Sequence, residues 1–357
     1  MNVFTIKFDH PEGYFPGQNL TGQAVINACI PIETRFLKIC VHGFAETEWD
    51  GSRDEKYRSE VNYVSGKAIA WVAKDGTGTL PAGHHTFPFT FPLPANCPPS
   101  FEGDHGRVRY FAQIELDKPR AWKANKVERS SFKVLSNANL DLVNRGNASI
   151  TKKDVREIGV LFKKGTAMMK ATIQKQTWSC GDYLPITVEI DNTSKRSMTC
   201  LRAELRQHSH YYATRTGSSS SQHEHECKVV SLSKKNIQIA PGTKSLEKLK
   251  ISIPKITPSF QCPIINVKYR LSVILDTDTT SNTTLNCDFD LNLLSQASLV
   301  VPSAPPALGR LESVPPPYSP PSAPSYSKVM TSGPLEHTAG PSVSPPSYDD
   351  SMFTTKI

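Results

Sequence analysis

No run of 18 apolar residues occurs in this 357-residue chain, so no membrane-spanning helix is expected. The opening stretch, MNVFTIKFDH, lacks the basic and apolar regions of a secretory signal, and none is expected. The eight cysteines (Cys29, Cys40, Cys97, Cys180, Cys200, Cys227, Cys262, Cys287) include no Cys-x-x-Cys pair. That absence argues against zinc ribbons and dithiol redox sites and favours reduced thiols in a cytoplasmic protein. The stretch KDGTGTLPAG from Lys74 lacks the Gly-Lys-Ser/Thr ending of a phosphate loop, and turns account for its glycines. Around His84, His85 and His105 the sequence offers no nucleophile or carboxylate constellation. No catalytic motif is found, so neither an enzyme nor a cofactor is expected.

The charge is uneven. The net value is +8, yet the stretch from Val301 onward holds three Lys/Arg against four Asp/Glu, so the excess of cations belongs to the body. A basic body favours acidic partners, namely phosphorylated peptides, anionic lipid surfaces or nucleic acid, and basicity alone does not choose among them.

Apolar residues in the body recur with period two. Val108, Tyr110, Ala112, Ile114 and Leu116 share one face of a strand, as do Leu184, Ile186, Val188 and Ile190. Leu249, Ile251 and Ile253 repeat the pattern, and so do Val267, Tyr269, Leu271, Val273 and Leu275. Such alternation marks half-buried strands, and no long segment keeps a helical period. The fold class read from this is all-β, built of antiparallel sandwiches.

The body also repeats itself. GQNLTGQAVI from Gly17 aligns with GDYLPITVEI from Gly181, and PSFEGDHGRVRYFAQIEL from Pro99 with PSFQCPIINVKYRLSVIL from Pro258. Two halves with one strand order imply two tandem sandwiches. The expected divisions are a first sandwich over 1–145, a linker over 146–165, a second sandwich over 166–300 and a disordered tail over 301–357.

The stretches PPSFEGDHGRVRYFAQIELDKPRAWK, GDYLPITVEIDNTSKRSM and IPKITPSFQCPIINVKYRLSV resemble motifs of the alpha-arrestin, or arrestin domain-containing, family. The resemblance covers nearly all of residues 1–300. It implies two arrestin-type, immunoglobulin-like β-sandwich domains and a tail carrying P-P-x-Y motifs. It further implies an adaptor that brings WW-domain, HECT-type ubiquitin ligases to transmembrane receptor or transporter cargo. Ubiquitination, endocytosis and endosomal sorting would follow. Such a protein is expected in the cytoplasm, peripherally associated with the plasma membrane and endosomes, and no nucleic-acid partner is expected for it. No clathrin-box pattern is found in the tail, so the phosphoreceptor docking of the visual and beta-arrestin branch is not carried over.

The tail holds 13 of the 28 prolines. Pro315, Pro316 and Tyr318 form one P-P-x-Y motif, and Pro345, Pro346 and Tyr348 a second. A polyproline II segment is already extended, so docking in an aromatic-lined groove costs little entropy. Starting 30 residues apart, the motifs would be separated by roughly 30 Å on a flexible chain, a span suited to tandem WW domains. P-S-A-P occurs twice, at Pro302, Ser303, Ala304, Pro305 and at Pro321, Ser322, Ala323, Pro324. It resembles the late-domain motif bound by ESCRT-I, and an ESCRT-I-recruiting budding scaffold is the alternative function. The ending Thr355-Lys356-Ile357 fits a PDZ ligand.

Two body clusters remain. Lys152, Lys153, Arg156, Lys163 and Lys164 surround the expected linker and would serve either as a solvated link or as a contact to lipid headgroups or an acidic cargo tail. In RQHSHYYATRTGSSSSQHEHEC, a hairpin pivoting near Thr216-Gly217 would set His208 against His225 and His210 against His223. Four imidazoles so placed could take a transition metal, but an exposed, solvated hairpin is the favoured expectation and no metal is assigned.

Only Ser319 and Pro320 separate Tyr318 from the second P-S-A-P, too few residues for two folded domains to sit side by side. A peptide spanning residues 312–326 should therefore bind a WW domain or the ESCRT-I ubiquitin-variant domain, but not both. Titrating one domain against the preformed complex of the other checks this, with displacement as the expected outcome.

Overall fold

In the computed structural model, described over residues 1–52, 55–73, 78–117, 126–136, 147–158, 165–277 and 284–295, the period-two segments are strands. The first half contains β1 (Val3–Phe8), β2 (Asn19–Ala28), β3 (Ile32–Glu33), β4 (Phe36–Asp50), β5 (Lys56–Val72), β6 (Thr79–Leu80), β7 (Gly83–Pro92), β8 (Phe101–Glu102), β9 (Gly106–Leu116) and β10 (Lys126–Phe132). The second contains β11 (Ile150–Ile158), β12 (Gly165–Ile173), β13 (Thr177–Ser179), β14 (Tyr183–Asn192), β15 (Met198–Arg215), β16 (Ser221–Ile239), β17 (Thr243–Ser252), β18 (Phe260–Gln261), β19 (Ile265–Thr277) and β20 (Leu285–Leu294). No helix occurs among the described residues.

Each half is a two-sheet sandwich. One layer of the first is β1-β2-β7, and one layer of the second is β11-β12-β14-β17. The opposing layers are not separate. They join into one 11-stranded sheet running β10-β9-β4-β5-β15-β19-β20-β13, with β8, β16 and β18 alongside. The crossing point is short: Thr214 pairs with Arg58 and Arg215 with Tyr57, at the far end of β15. The expected core faces are buried, with Val108, Tyr110, Ala112, Ile114 and Leu116 all at 1% exposure or less. Met1–Pro302 form one compact unit.

The repeat seen in sequence is also a repeat of hydrogen bonds. The Tyr110 hydroxyl donates to the carbonyl of Pro98 at 2.7 Å, and the equivalent Tyr269 hydroxyl donates to the carbonyl of Thr257 at 2.5 Å. Ser100 exchanges two bonds with Val134, its N–H to the carbonyl at 2.9 Å and its Oγ accepting the Val134 N–H at 3.0 Å. Ser259 does the same with Leu293 at 3.0 and 3.0 Å. The Pro-Ser-Phe motif is thus a strap: serine ties the incoming chain to the segment just after β10 in the first half and to β20 in the second, and the buried tyrosine ties it to the middle. Gly17 and Gly181 both carry positive φ, 85° and 97°, where a side chain would be strained. Each donates its N–H to the carbonyl of the residue just after a neighbouring strand, Leu93 after β7 or Ile253 after β17.

Residues 146–165, expected as a linker, contain β11. This nine-residue strand pairs antiparallel with β12 from Ile150↔Ile173 to Ile158↔Gly165. It sits at the sheet edge and overhangs the sandwich. Ile158 is buried and Ile150 and Asp154 are half-buried, but the inward face carries Lys152, Asp154 and Arg156 between its two isoleucines, so hydrophobic alternation, the signal for a strand, is missing.

Removing either strap hydroxyl leaves a buried carbonyl without its donor, which costs about 1–3 kcal/mol. Tyr110→Phe and Tyr269→Phe should each lower the urea midpoint of unfolding by a comparable amount. Little change in either variant would show that the straps are dispensable.

Candidate functional site

The Pro-Ser-Phe motifs meet at the junction of the two sandwiches. Phe101 and Phe260, equivalent residues of the repeat, pack edge to face with centroids 5.4 Å apart. Tyr211 of β15 is fully buried beside them, its ring 6.5 Å from Phe101 and 5.6 Å from His105. Its hydroxyl donates to Glu226 at 2.7 Å, and burial raises its pKa, so it remains a neutral donor. Glu226 also accepts the backbone N–H of Asp104, and Lys228 bridges Asp104 and Glu226. The Lys228 hydrogen bond holds the Asp104 carboxyl below its usual range. The Thr47 hydroxyl donates to the Tyr212 carbonyl at 2.8 Å. Gly103 and Gly106 allow this approach, because a Cβ on Gly103 would meet the Tyr211 hydroxyl and one on Gly106 would lie 2.9 Å from its ring.

Beside this junction lies a cleft of about 770 Å³ with both halves in its wall. Phe8, Tyr110 and Phe132 give it an aromatic lining, and Lys133 and Lys255 add a cation from each half. Arg109 also faces it but is held by Glu102 through two bonds of 2.7 and 2.8 Å. A cleft of this composition attracts an anionic, partly apolar segment. At Cys40, Cys97, Cys180 and Cys287 burial pushes the thiol pKa up and so disfavours the thiolate.

The histidine hairpin forms with a different register from the one expected. Its turn centres on Gly217-Ser218, so His210 lies opposite His225, His208 opposite Cys227 and Tyr212 opposite His223. The expected ring pairs are nevertheless in contact, diagonally. His208 Nδ1 is 3.0 Å from His225 Nε2, and His210 Nδ1 is 2.9 Å from His223 Nε2. The rings form a ladder, His210 stacked on His225 at 4.5 Å and Tyr212 tilted against His223 at 4.9 Å. Among the described residues no three His, Cys, Asp or Glu side chains converge as metal ligands. Each nitrogen pair is instead a hydrogen bond, which requires one lone pair and hence a neutral ring.

Lys152, Lys153 and Arg156 are exposed on β11. Arg156 is engaged by both carboxylate oxygens of Asp154 at 3.1 Å, whereas Lys152 and Lys153 have no ion-pair partner among the described residues. Lys163 and Lys164, both P-P-x-Y motifs (Pro315, Pro316, Tyr318; Pro345, Pro346, Tyr348), both P-S-A-P motifs and the terminal Thr355-Lys356-Ile357 lie outside the described residues. Sequence reasoning missed Tyr211, Glu226 and Thr47 as junction residues. A signal existed: Tyr211 alternates with the histidines of its strand, and the alternate face holds Ser209, Tyr211 and Ala213, all buried.

Two family profiles match the chain. The one described as Arrestin (or S-antigen), N-terminal domain, matches residues 4–141, and the one described as Arrestin (or S-antigen), C-terminal domain, matches residues 163–298. Arrestin domain-containing protein 17 of Caenorhabditis elegans is 27% identical over 318 residues, 84% of this chain and 72% of that protein. Arrestin domain-containing protein 1 of Homo sapiens is 29% identical over 232 residues, 60% of this chain and 49% of that protein. Arrestin domain-containing protein 4 of Mus musculus is 26% identical over 282 residues, 75% of this chain and 66% of that protein. The match thus spans about half the length of the human relative.

The histidine ladder sets a pH dependence. His208 and His210 are held below their ordinary value of 6.5, first by burial and next by the neighbouring His225. Arg206, Lys268 and Arg270 also face the ladder, with Asp290 opposing them. As pH falls through 6.5 the unfolded chain takes up these protons first, so the folded state loses stability until pH reaches the lower, folded pKa. Above 6.5 the contribution is constant. The unfolding temperature should fall on acidification from neutrality, and His208→Gln with His210→Gln should flatten that fall. Parallel curves for the two proteins would disprove the assignment.

Proposed function

The chain belongs to the arrestin family, among its arrestin domain-containing members, and from that premise we propose that it is a non-enzymatic trafficking adaptor. The paired sandwiches recognise transmembrane cargo from the cytoplasmic side, and the tail recruits a WW-domain, HECT-type ubiquitin ligase. Cargo ubiquitination, endocytosis and endosomal sorting are the outcome. The observation that carries this proposal is the combination of one two-sandwich unit with two P-P-x-Y motifs beyond it, at Pro315-Pro316-x-Tyr318 and Pro345-Pro346-x-Tyr348. A shared sheet and a common junction suit a body that presents one continuous surface. The proline-tyrosine motifs suit capture by an aromatic groove. No described helix is long and apolar enough to cross a membrane, which is compatible with a peripheral place on the plasma membrane and endosomes.

Tyr318→Ala together with Tyr348→Ala should abolish pull-down of WW-domain ligases and reduce cargo ubiquitination. Thermal unfolding of the body should not change, because both tyrosines follow the two matched arrestin domains, residues 4–141 and 163–298. Retained ligase capture by the double variant would refute the proposed recruitment.

A further inference from the structure

We infer that the outer edge of β11 is a docking site for an acidic peptide in extended conformation, which adds as a further strand to the β11-β12-β14-β17 sheet. This inference rests on the adaptor function proposed above, since it names the chemistry of the cargo segment the body takes. The edge is long and open. Ile150–Ile158 pair with β12 on one side, and no described strand pairs with them on the other. The N-terminal end of β20 approaches β11 through the backbone N–H of Asn286, which bonds the Asp154 side chain at 2.9 Å. Over residues 151–156 no other described strand covers this edge, and an uncovered edge offers the N–H and C=O groups that strand addition requires.

The partner's charge follows from the rows of side chains that cross the sheet's outer face. One row runs Leu246, Glu189, Lys170, Lys153. Lys170 and Glu189 form an ion pair at 2.9 Å, so Lys153 faces a lysine whose carboxylate is already engaged. Like charges directly opposite each other are unfavourable, and a carboxylate on the next strand would relieve this one. The neighbouring rows extend the pattern. Lys248, Thr187, Thr172 and Thr151 end in a hydroxyl pair, Thr151 to Thr172 at 2.9 Å. Lys244, Asp191, Met168 and Val155 end in an aliphatic residue left 48% exposed. On the other face of β11, which also carries Ile150, Asp154 and Ile158, Lys152 and Arg156 are exposed, with Arg156 held by Asp154. A complementary strand therefore carries a carboxylate against Lys153, an aliphatic residue against Val155, a hydroxyl against Thr151, and carboxylates against Lys152 and Arg156. Lysines on an edge also repel neutral and basic strands, and that exclusion is the other half of selectivity for an acidic one.

The test uses the purified full chain and a fluorescein-labelled peptide, Glu-Val-Thr-Glu-Glu-Thr with glycine flanks. In antiparallel register its residues face Arg156, Val155, Asp154, Lys153, Lys152 and Thr151. Fluorescence polarisation should show saturable binding. Lys152→Glu with Lys153→Glu should weaken it about tenfold or more, and a peptide with lysine in place of glutamate should bind that variant and not the parent. N-methylation of alternate peptide amides should abolish binding in one phase and leave it intact in the other, as strand addition demands. Both lysines are exposed, and unchanged unfolding of the variant separates a lost contact from a lost fold. No binding, binding indifferent to the charge reversal, or tolerance of both methylation phases would overturn the inference. So would charge-dependent sedimentation with phosphatidylserine vesicles in the absence of peptide binding, which would make the edge a membrane contact. The Tyr318→Ala/Tyr348→Ala chain should bind the peptide normally. Failure at β11 with ligase capture intact would thus leave the tail's proposed role standing.

Discussion

Two backbone pairings, Thr214 with Arg58 and Arg215 with Tyr57, turn what would be two separate two-layered bodies into one. Without them the second half's sheet would end at the tip of β15. With them, that sheet continues into β5 and β4 of the first half. A joint so short could not hold alone. It is held by what packs beneath it: the fully buried Tyr211, the Phe101–Phe260 contact, the Thr47 bond to Tyr212, and Glu226 accepting from Tyr211 and Asp104. Apolar burial supplies the drive, and the hydrogen bonds set the register. Gly103 and Gly106 matter because any larger residue would push Tyr211 out of the joint.

The duplication gives this joint its form. Each half ties the same tripeptide to its own last strand, or to the segment just after it, through serine and to its middle through a tyrosine hydroxyl. The phenylalanine that follows is then delivered to the same edge in both halves, by Phe101 pairing with Val108 and Phe260 with Val267. Placing two such edges face to face puts equivalent rings in contact. A motif that reads as a family mark is, physically, the part of each sandwich that meets the other.

The candidate sites were legible to different degrees. The histidine ladder was visible as a cluster, because hairpin geometry needs only local pairing. Its register was not, since a Gly-Ser loop permits more than one pivot, and the observed turn sits one residue beyond the expected one. The basic cluster was visible as charge but placed on a linker. Lys152, Lys153 and Arg156 are on a strand whose exposed faces erase the alternation that identifies strands. The junction was the least legible feature. Tyr211 is one aromatic among several in its segment, and its importance depends on residues such as Thr47, which Tyr212 meets 165 positions away.

Composition and periodicity alone determined that the body is all-β, that it is made twice, that its inward faces are those of Val108–Leu116 and Val267–Thr277, and that proline-tyrosine motifs lie beyond it. These properties are local: alternation comes from backbone geometry, and repetition is read by direct comparison of segments. The tertiary structure alone decided that the two halves share a sheet, that among the described residues β11 is an edge strand whose lysines have no ion-pair partner, and that an aromatic cleft with a cation from each half lies beside the junction. Each of those depends on contacts between distant residues, as between Thr214 and Ser59, 155 positions apart. Such contacts are chosen by the free energy of the whole packed body, which no short window of sequence contains.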